Sequence, residues 1–130
     1  MARSITLTGL VQDDDRNAAW VLPDINAYAT GDGVHVEEVA TSTGEGTITL
    51  NADITGGNGP GAALFINLST TAAETITIGS TAAQKPILLR ASGDGLNWCV
   101  INMLAAATTI KHQAASGTPR LYVAVFEAAA

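Results

Sequence analysis

Three short stretches of the chain alternate polar and apolar residues with a period of two, and they limit the fold more than any other feature. They read SITLT at residues 4–8, TITL at 47–50 and TITI at 75–78. Because successive side chains of a strand point to opposite faces, the aliphatic residues share one face and the threonines the other. The pattern predicts β-strands.

Further strand-forming stretches follow, and turn-forming stretches rich in Gly, Asp, Asn and Pro separate them. Many short strands divided by such turns are typical of a sandwich, a jelly roll or a small barrel. We expect one all-β domain over residues 1–130, a β-sandwich or jelly-roll-like fold that is large enough to bury its own core. The further candidate strands are residues 33–39, 63–68, 86–91, 96–104 and 120–127.

Two segments do not follow this pattern. Residues 10–33 have no clear strand period and contain Pro23, so we expect an irregular arm or long loop there. Residues 102–113 include three consecutive alanines, which favour a helix, and a Thr-Thr-Ile run, which opposes one. A short helical turn in this second segment therefore stays an open alternative.

The last strand-forming stretch is apolar on both of its faces. Two apolar faces need two coverings, whereas a half-exposed antiparallel strand has one solvated face. The second covering is either another sheet of the same sandwich or a neighbouring subunit. Charged residues make up only 14% of the chain, against about 25% in ordinary domains, which favours the subunit. We therefore expect a homo-oligomer. One face carries Leu121, Val123 and Val125, and the other carries Tyr122, Ala124 and Phe126.

The charge pattern argues against nucleic-acid and membrane partners. The formal net charge is −6, and the six Lys and Arg residues are dispersed, whereas phosphate binding needs clustered cations. No apolar run approaches the roughly 20 residues of a membrane span. The N-terminal stretch has no apolar core of a signal peptide, so we expect synthesis in the cytoplasm. Cys99 is the single cysteine, which excludes an internal disulfide.

Two aromatic residues, Trp20 and Tyr28, lie within the expected arm. Exposed aromatic side chains are typical anchors of protein interfaces. The alternative is that both rings fold back and cover an open end of the core. The sequence leaves both interpretations open.

No set of residues suggests catalysis or a bound cofactor. The aspartates at 13–15 could attract a hard cation, but consecutive side chains diverge and the EF-hand spacing is absent, so a solvated loop is favoured. His35 and His112 have no second metal ligand at a typical spacing, apart from Glu37 beside His35. The glycine-rich stretch 56–61 lacks the Lys-Ser/Thr of a phosphate-binding loop. We expect a protein without cofactor or metal that is not an enzyme.

One segment carries a resemblance to a known class of proteins. Residues 92–101 read SGDGLNWCVI and follow a threonine-rich strand, a polar turn and a second strand. This order resembles a segment of many tailed-phage and prophage virion proteins, in which a hairpin of the form DG-x-N-W-x-V-I closes a small β domain. The resemblance covers residues 62–104, about a third of the chain. It implies that Asp94 and Gly95 form a structural turn and that Trp98 packs in the core or at a subunit interface.

The resemblance implies one of two roles in the virion. The first is a capsid decoration (cement) protein, commonly a homotrimer, that binds the major capsid protein on the outer surface of the head and stabilises contacts between capsomers. The second is a tail-fibre or receptor-binding (carbohydrate-binding) module. The short chain favours decoration, since a fibre subunit usually carries a shaft as well. Capsid contacts are then expected at Trp20 and Tyr28, and subunit contacts at Trp98, Tyr122 and Phe126.

Overall fold

The computed structural model of the chain describes residues 3–6, 10–13, 18–21, 27–81 and 84–130, with side chains described for 30–81 and 84–130. Within these residues the chain is mostly β, with 55% strand and one helix of a single turn. The elements are β1 Arg3–Thr6, β2 Leu10–Asp13, β3 Ala18–Val21, β4 Ala27–Ala40, β5 Gly46–Thr49, α1 Ala52–Thr55, β6 Pro60–Asn67, β7 Ile76–Gly79, β8 Ile87–Leu89, β9 Trp98–Asn102, β10 Thr109–Ala114 and β11 Arg120–Ala128.

Two antiparallel sheets pack against each other, which confirms the all-β expectation. The larger sheet has the strand order β1-β4-β11-β6-β9, and the smaller has the order β5-β10-β7-β8. β11 is central because it pairs with β4 on one side and with β6 on the other. β2 and β3 pair with each other in a separate two-stranded sheet.

The core lies between the two sheets and is built from the inward positions of their strands. In β11 the inward residues Leu121, Val123 and Val125 are fully buried, as their alternation in the sequence predicts. Phe65 of β6 is the largest fully buried side chain, with 1% of its surface exposed. The smaller sheet, the helix and the short link between β5 and α1 contribute the isoleucines and leucines Ile48, Leu50, Ile54, Ile76, Ile78, Leu89 and Ile110.

A buried asparagine at the end of β6 ties the two sheets together. The Asn67 side-chain amide donates to the carbonyl of Glu74 at 2.8 Å and to that of Leu89, in β8, at 3.4 Å. Its side-chain oxygen accepts the Ser69 N–H at 3.0 Å. Because a buried amide must satisfy its donors and acceptor, these bonds fix the distance between the sheets at this end.

Every stretch with a strand pattern forms a strand, and two further regions differ from the sequence expectation. Residues 10–33 contain β2, β3 and the beginning of β4 rather than an irregular segment throughout. The strands β2 and β3 include β-branched and aromatic residues, but their sequences, LVQD and AAWV, do not alternate polar and apolar residues. In the segment 102–113 no helix forms, and β10 occupies its second half, where Thr109 and Ile110 outweigh the preceding alanines.

Candidate functional site

One face of the larger sheet points away from the core, and its side chains form rows across four strands. Residues paired directly across antiparallel strands share a face. In one row Glu38 is paired with Tyr122, Tyr122 with Ile66, and Ile66 with Trp98. We call this surface the outer face. It comprises Val34, Val36 and Glu38 of β4, Tyr122, Ala124 and Phe126 of β11, Ala62, Leu64 and Ile66 of β6, and Trp98, Val100 and Asn102 of β9.

The outer face is apolar and most open at its two margins. Val36 on β4 is 56% exposed, and Trp98 on β9 is 48% exposed. Tyr122 and Ile66, between them, are partly buried because neighbouring side chains shield them. Exposed apolar surfaces of this kind mark places where a protein binds another molecule.

The structure places all three sequence-predicted subunit contacts on this surface. Trp98 and Tyr122 share one row, and Phe126 lies further along β11 on the same face. Trp98 does not pack in the core of the chain, since nearly half of its surface is exposed. That these residues contact another subunit stays a prediction.

An ion pair lies at one end of the outer face. The Arg120 Nε donates to a carboxylate oxygen of Glu38, and both side chains are about half exposed. Arg120 precedes Tyr122 on the same side of β11, so the pair adjoins the aromatic row. An exposed pair of this kind contributes little to stability, but it cancels the charge of the acidic residue on the face.

A polar groove of about 370 Å³ adjoins this ion pair. Glu38, Arg120, Ser69 and Glu74 are among the residues that line it. The Ser69 hydroxyl donates to Glu74, and the exposed Leu68 adds an apolar margin. A groove with carboxylates, hydroxyls and a guanidinium suits a small polar ligand.

The stretch that carries the virion resemblance forms a corner between the sheets. Gly93 has a φ of 87°, and the Asp94 N–H donates to the Ala91 carbonyl at 3.1 Å, as expected for a turn. The flanking strands β8 and β9 belong to different sheets, so the turn does not join the two strands of a hairpin. After the turn the chain enters β9, which begins with Trp98 and forms an edge strand of the larger sheet.

The two predicted capsid contacts lie in different sheets. Trp20 is on β3, opposite Val11, and Tyr28 is on β4, opposite Ile5. Their side chains lie outside the described residues.

No candidate cation site emerges from the part of the chain that the structure describes. Asp13 is the last residue of β2, and Asp14 and Asp15 lie outside the described residues. Among the described residues there is no group of three or more His, Cys, Asp or Glu side chains able to hold a metal ion.

His35 and Glu37 are in contact, as their placement on one strand face predicts. The His35 Nε2 lies 2.9 Å from a Glu37 carboxylate oxygen, and the Asn51 N–H donates to His35 Nδ1 at 3.2 Å. Since Nδ1 accepts from a backbone amide, the network assigns the ring proton to Nε2, which donates to Glu37. With both ring nitrogens engaged, this histidine is positioned as a structural link between β4 and the start of α1.

Sequence reasoning missed one buried carboxylate with a clear structural role. Glu127, on the inward side of β11, accepts the Gly33 N–H at 2.8 Å and the Asn58 N–H at 2.8 Å. The hydrogen bonds from Asn58 and Gly33 hold the pKa of Glu127 below its ordinary value. A Cβ on Gly31 or Gly57 would overlap this carboxylate. The two glycine-rich stretches were the available signal, since both approach one anionic group.

No protein-family model, curated protein sequence or solved structure matches the chain. In the described residues, no helix has both the length and the apolar character to cross a membrane. The proposed function therefore rests on the fold and on the outer face.

Proposed function

We propose that the chain is a structural protein of a tailed-phage virion, a capsid decoration protein that binds the outer surface of the head and stabilises contacts between capsomers. The observation that carries this proposal is the apolar outer face, with Val36 and Trp98 about half exposed. The resemblance of residues 92–101 to virion proteins and the low proportion of charged residues support the same role.

The proposed mechanism is burial of surface between subunits. Each square ångström of apolar area removed from water contributes roughly 25 cal/mol, offset by the entropy lost on association. A rigid β-sandwich suits this task, because its strands are already ordered before binding. Trp20 and Tyr28 are the proposed contacts with the major capsid protein, which leaves Trp98, Tyr122 and Phe126 for neighbouring subunits.

The second candidate function is a tail-fibre or receptor-binding module that recognises carbohydrate. The polar groove beside Glu38, Arg120 and Glu74 is the observation that favours it. Carboxylate and guanidinium groups bind hydroxyl-bearing ligands through charge-assisted hydrogen bonds.

Quantitative mass spectrometry of purified virions separates these functions. A copy number comparable to that of the major capsid protein would support decoration of the whole shell. A copy number of a few per cent of that level would favour the tail and the receptor-binding module. Absence of the protein from virions would overturn both proposals.

A binding assay tests the proposed capsid contact. Purified heads that lack the protein are mixed with wild-type protein or with Trp20→Ala, and bound protein is measured after sedimentation. Weaker binding by a folded variant is expected, with Leu88→Ala, a change on the smaller sheet, as the control. Equal binding by Trp20→Ala and wild type would remove Trp20 from the capsid interface.

A further inference from the structure

We infer that the outer face is covered by the outer face of a second copy of this chain. The inference rests on the proposed function, because a shell subunit has neighbours of its own kind, and it names the surface through which two copies meet. The pairing is isologous, so the same patch serves both subunits, and it replaces the homotrimer that the resemblance implies with a two-fold dimer.

The first argument is charge. The chain carries a net charge of −6, so two copies repel each other over most of their surfaces. Glu38 is the one charged residue among the twelve outer-face positions, and its contact with Arg120 neutralises it. On the outer face, two copies of this acidic chain can therefore meet without placing charges of the same sign against each other.

The end of the face that carries the ion pair is self-complementary. Glu38 and Arg120 are each about half exposed, so each can also bind an oppositely charged group of another molecule. A second copy brings one acidic and one basic group of its own. When a two-fold axis brings these ends together, the Glu38 carboxylate of each copy can pair with the Arg120 guanidinium of the other. Such ion pairs fix the relative orientation of the two copies more than they raise the affinity.

The second argument is size. With about 4.8 Å between strands and about 3.4 Å per residue, four strands of five residues cover about 330 Å² in projection. Stable interfaces bury about 800 Å² of accessible surface per partner, and side chains standing out of the sheet expose more than their projected area. Leu68 and Leu96 continue the outward alternation of β6 and β9 beyond their ends, and they are 46% and 74% exposed. They extend the apolar surface toward the required area.

The third argument is the chemistry of the anchors. Trp, Tyr and Phe are enriched in the centres of protein interfaces, and Trp98, Tyr122 and Phe126 all lie on this face. Two sheets pack face to face when both faces are apolar and similarly twisted. The outer faces of two copies meet that condition by symmetry.

Light scattering coupled to size-exclusion chromatography tests the pairing. The wild-type protein is expected to show twice the 13.2 kDa mass of the chain. Val36→Glu and Trp98→Glu each introduce a charge at a position already half exposed, so both variants are expected to fold but to raise the dimer dissociation constant tenfold or more. Leu88→Glu is the matched control, because Leu88 is 49% exposed on the smaller sheet.

The outcomes are distinct from those for the proposed function. Dissociation of Val36→Glu and Trp98→Glu, but not of Leu88→Glu, would support the pairing, with circular dichroism confirming the fold of each variant. A wild-type monomer, a trimer, or a dimer that Trp98→Glu leaves intact would overturn it. The copy number in virions would stand unchanged in each case, so the decoration role is decided separately.

Discussion

Trp98 and Tyr122 lie on either side of Ile66 in one row of the outer face, on strands that are distant in sequence. One position further along the same strands, Cys99, Phe65 and Val123 form the adjacent row, which faces the core. A shift of one residue along β6 thus exchanges the core for the outer face. Two neighbouring residues of β6, one in each row, should therefore contribute differently to the free energy of unfolding.

We expect Phe65→Ala to destabilise the protein much more than Ile66→Ala. Phe65 is 1% exposed, and removing a buried phenylalanine side chain costs about 3–5 kcal/mol of unfolding free energy. Ile66 is only partly buried on the outer face, so its truncation should cost less, about 1–2 kcal/mol. Urea unfolding at one low protein concentration measures both. Equal losses would contradict the assignment of the two faces.

The sequence predicted the faces of individual strands but not the pairing between strands. The alternation of Val123 and Val125 with Tyr122 and Phe126 is local, so it could be seen directly. The position of β11 between β4 and β6 depends on contacts between residues far apart in the chain, for which a local pattern contains no signal. β10 was missed because His112 interrupts its inward apolar positions.

The outer face could be predicted only in part for the same reason. Trp98 and Tyr122 were each identifiable as candidate contacts, but their place in one row depends on the register of β6 with both neighbours. The Glu127 carboxylate could not be identified from its own position in the sequence, and only the glycine-rich stretches that approach it gave a signal. Its partners, Gly33 and Asn58, use backbone N–H groups, and a backbone donor leaves no mark on the type of residue.

Asn67→Ala is expected to weaken the connection between the two sheets. The change removes the donors to Glu74 and Leu89 and the acceptor for Ser69, three bonds that are buried or partly buried. A loss of about 2–4 kcal/mol is expected. Urea unfolding checks it, with Asn97→Ala as the control, since Asn97 donates a single side-chain bond to the Asn67 carbonyl at 3.2 Å. A loss no larger than that of Asn97→Ala would contradict the proposed tie.

Gly117→Ala should be more harmful than Gly93→Ala. Both glycines have positive φ, 63° and 87°, so alanine is strained at either position by about 1 kcal/mol. A Cβ on Gly93 meets no atom within 4 Å, whereas one on Gly117 would overlap the Glu74 carboxylate. Thermal unfolding should therefore show a modest decrease in Tm for Gly93→Ala and a larger one for Gly117→Ala. The reverse order would be incompatible with this packing.

Glu127→Gln should lower stability at neutral pH, and the deficit should shrink in acid. Hydrogen bonds from Asn58 and Gly33 place the folded-state pKa of Glu127 below its ordinary value of 4.5. The ionised carboxylate therefore stabilises the fold above pH 4.5, and this contribution is lost as the pH falls through the folded-state pKa. Unfolding free energies measured from pH 7 to pH 3 check the trend. A deficit that stays constant down to pH 3 would contradict this role of the Glu127 carboxylate.

His112→Gln should change the pH dependence of stability in a different window. His112 is 5% exposed on the inward side of β10, and its Nδ1 has no hydrogen-bond partner among the residues that the structure describes. Burial lowers the pKa of His112 below 6.5, against the opposing charges of Glu37 and Glu45. Below pH 6.5 the unfolded chain binds a proton that the folded chain does not, so wild-type stability falls as the pH decreases toward the folded-state pKa.

Above pH 6.5 the imidazole is neutral in both states and contributes no pH dependence. His112→Gln removes the titrating group, so the difference in unfolding free energy between variant and wild type should change between pH 7 and pH 5. His35 and the carboxylates are common to both proteins, and to first order their effects cancel in the difference. Parallel stability curves over this range would mean that His112 takes up its proton equally well in the folded protein, and that its ring is not held in the core.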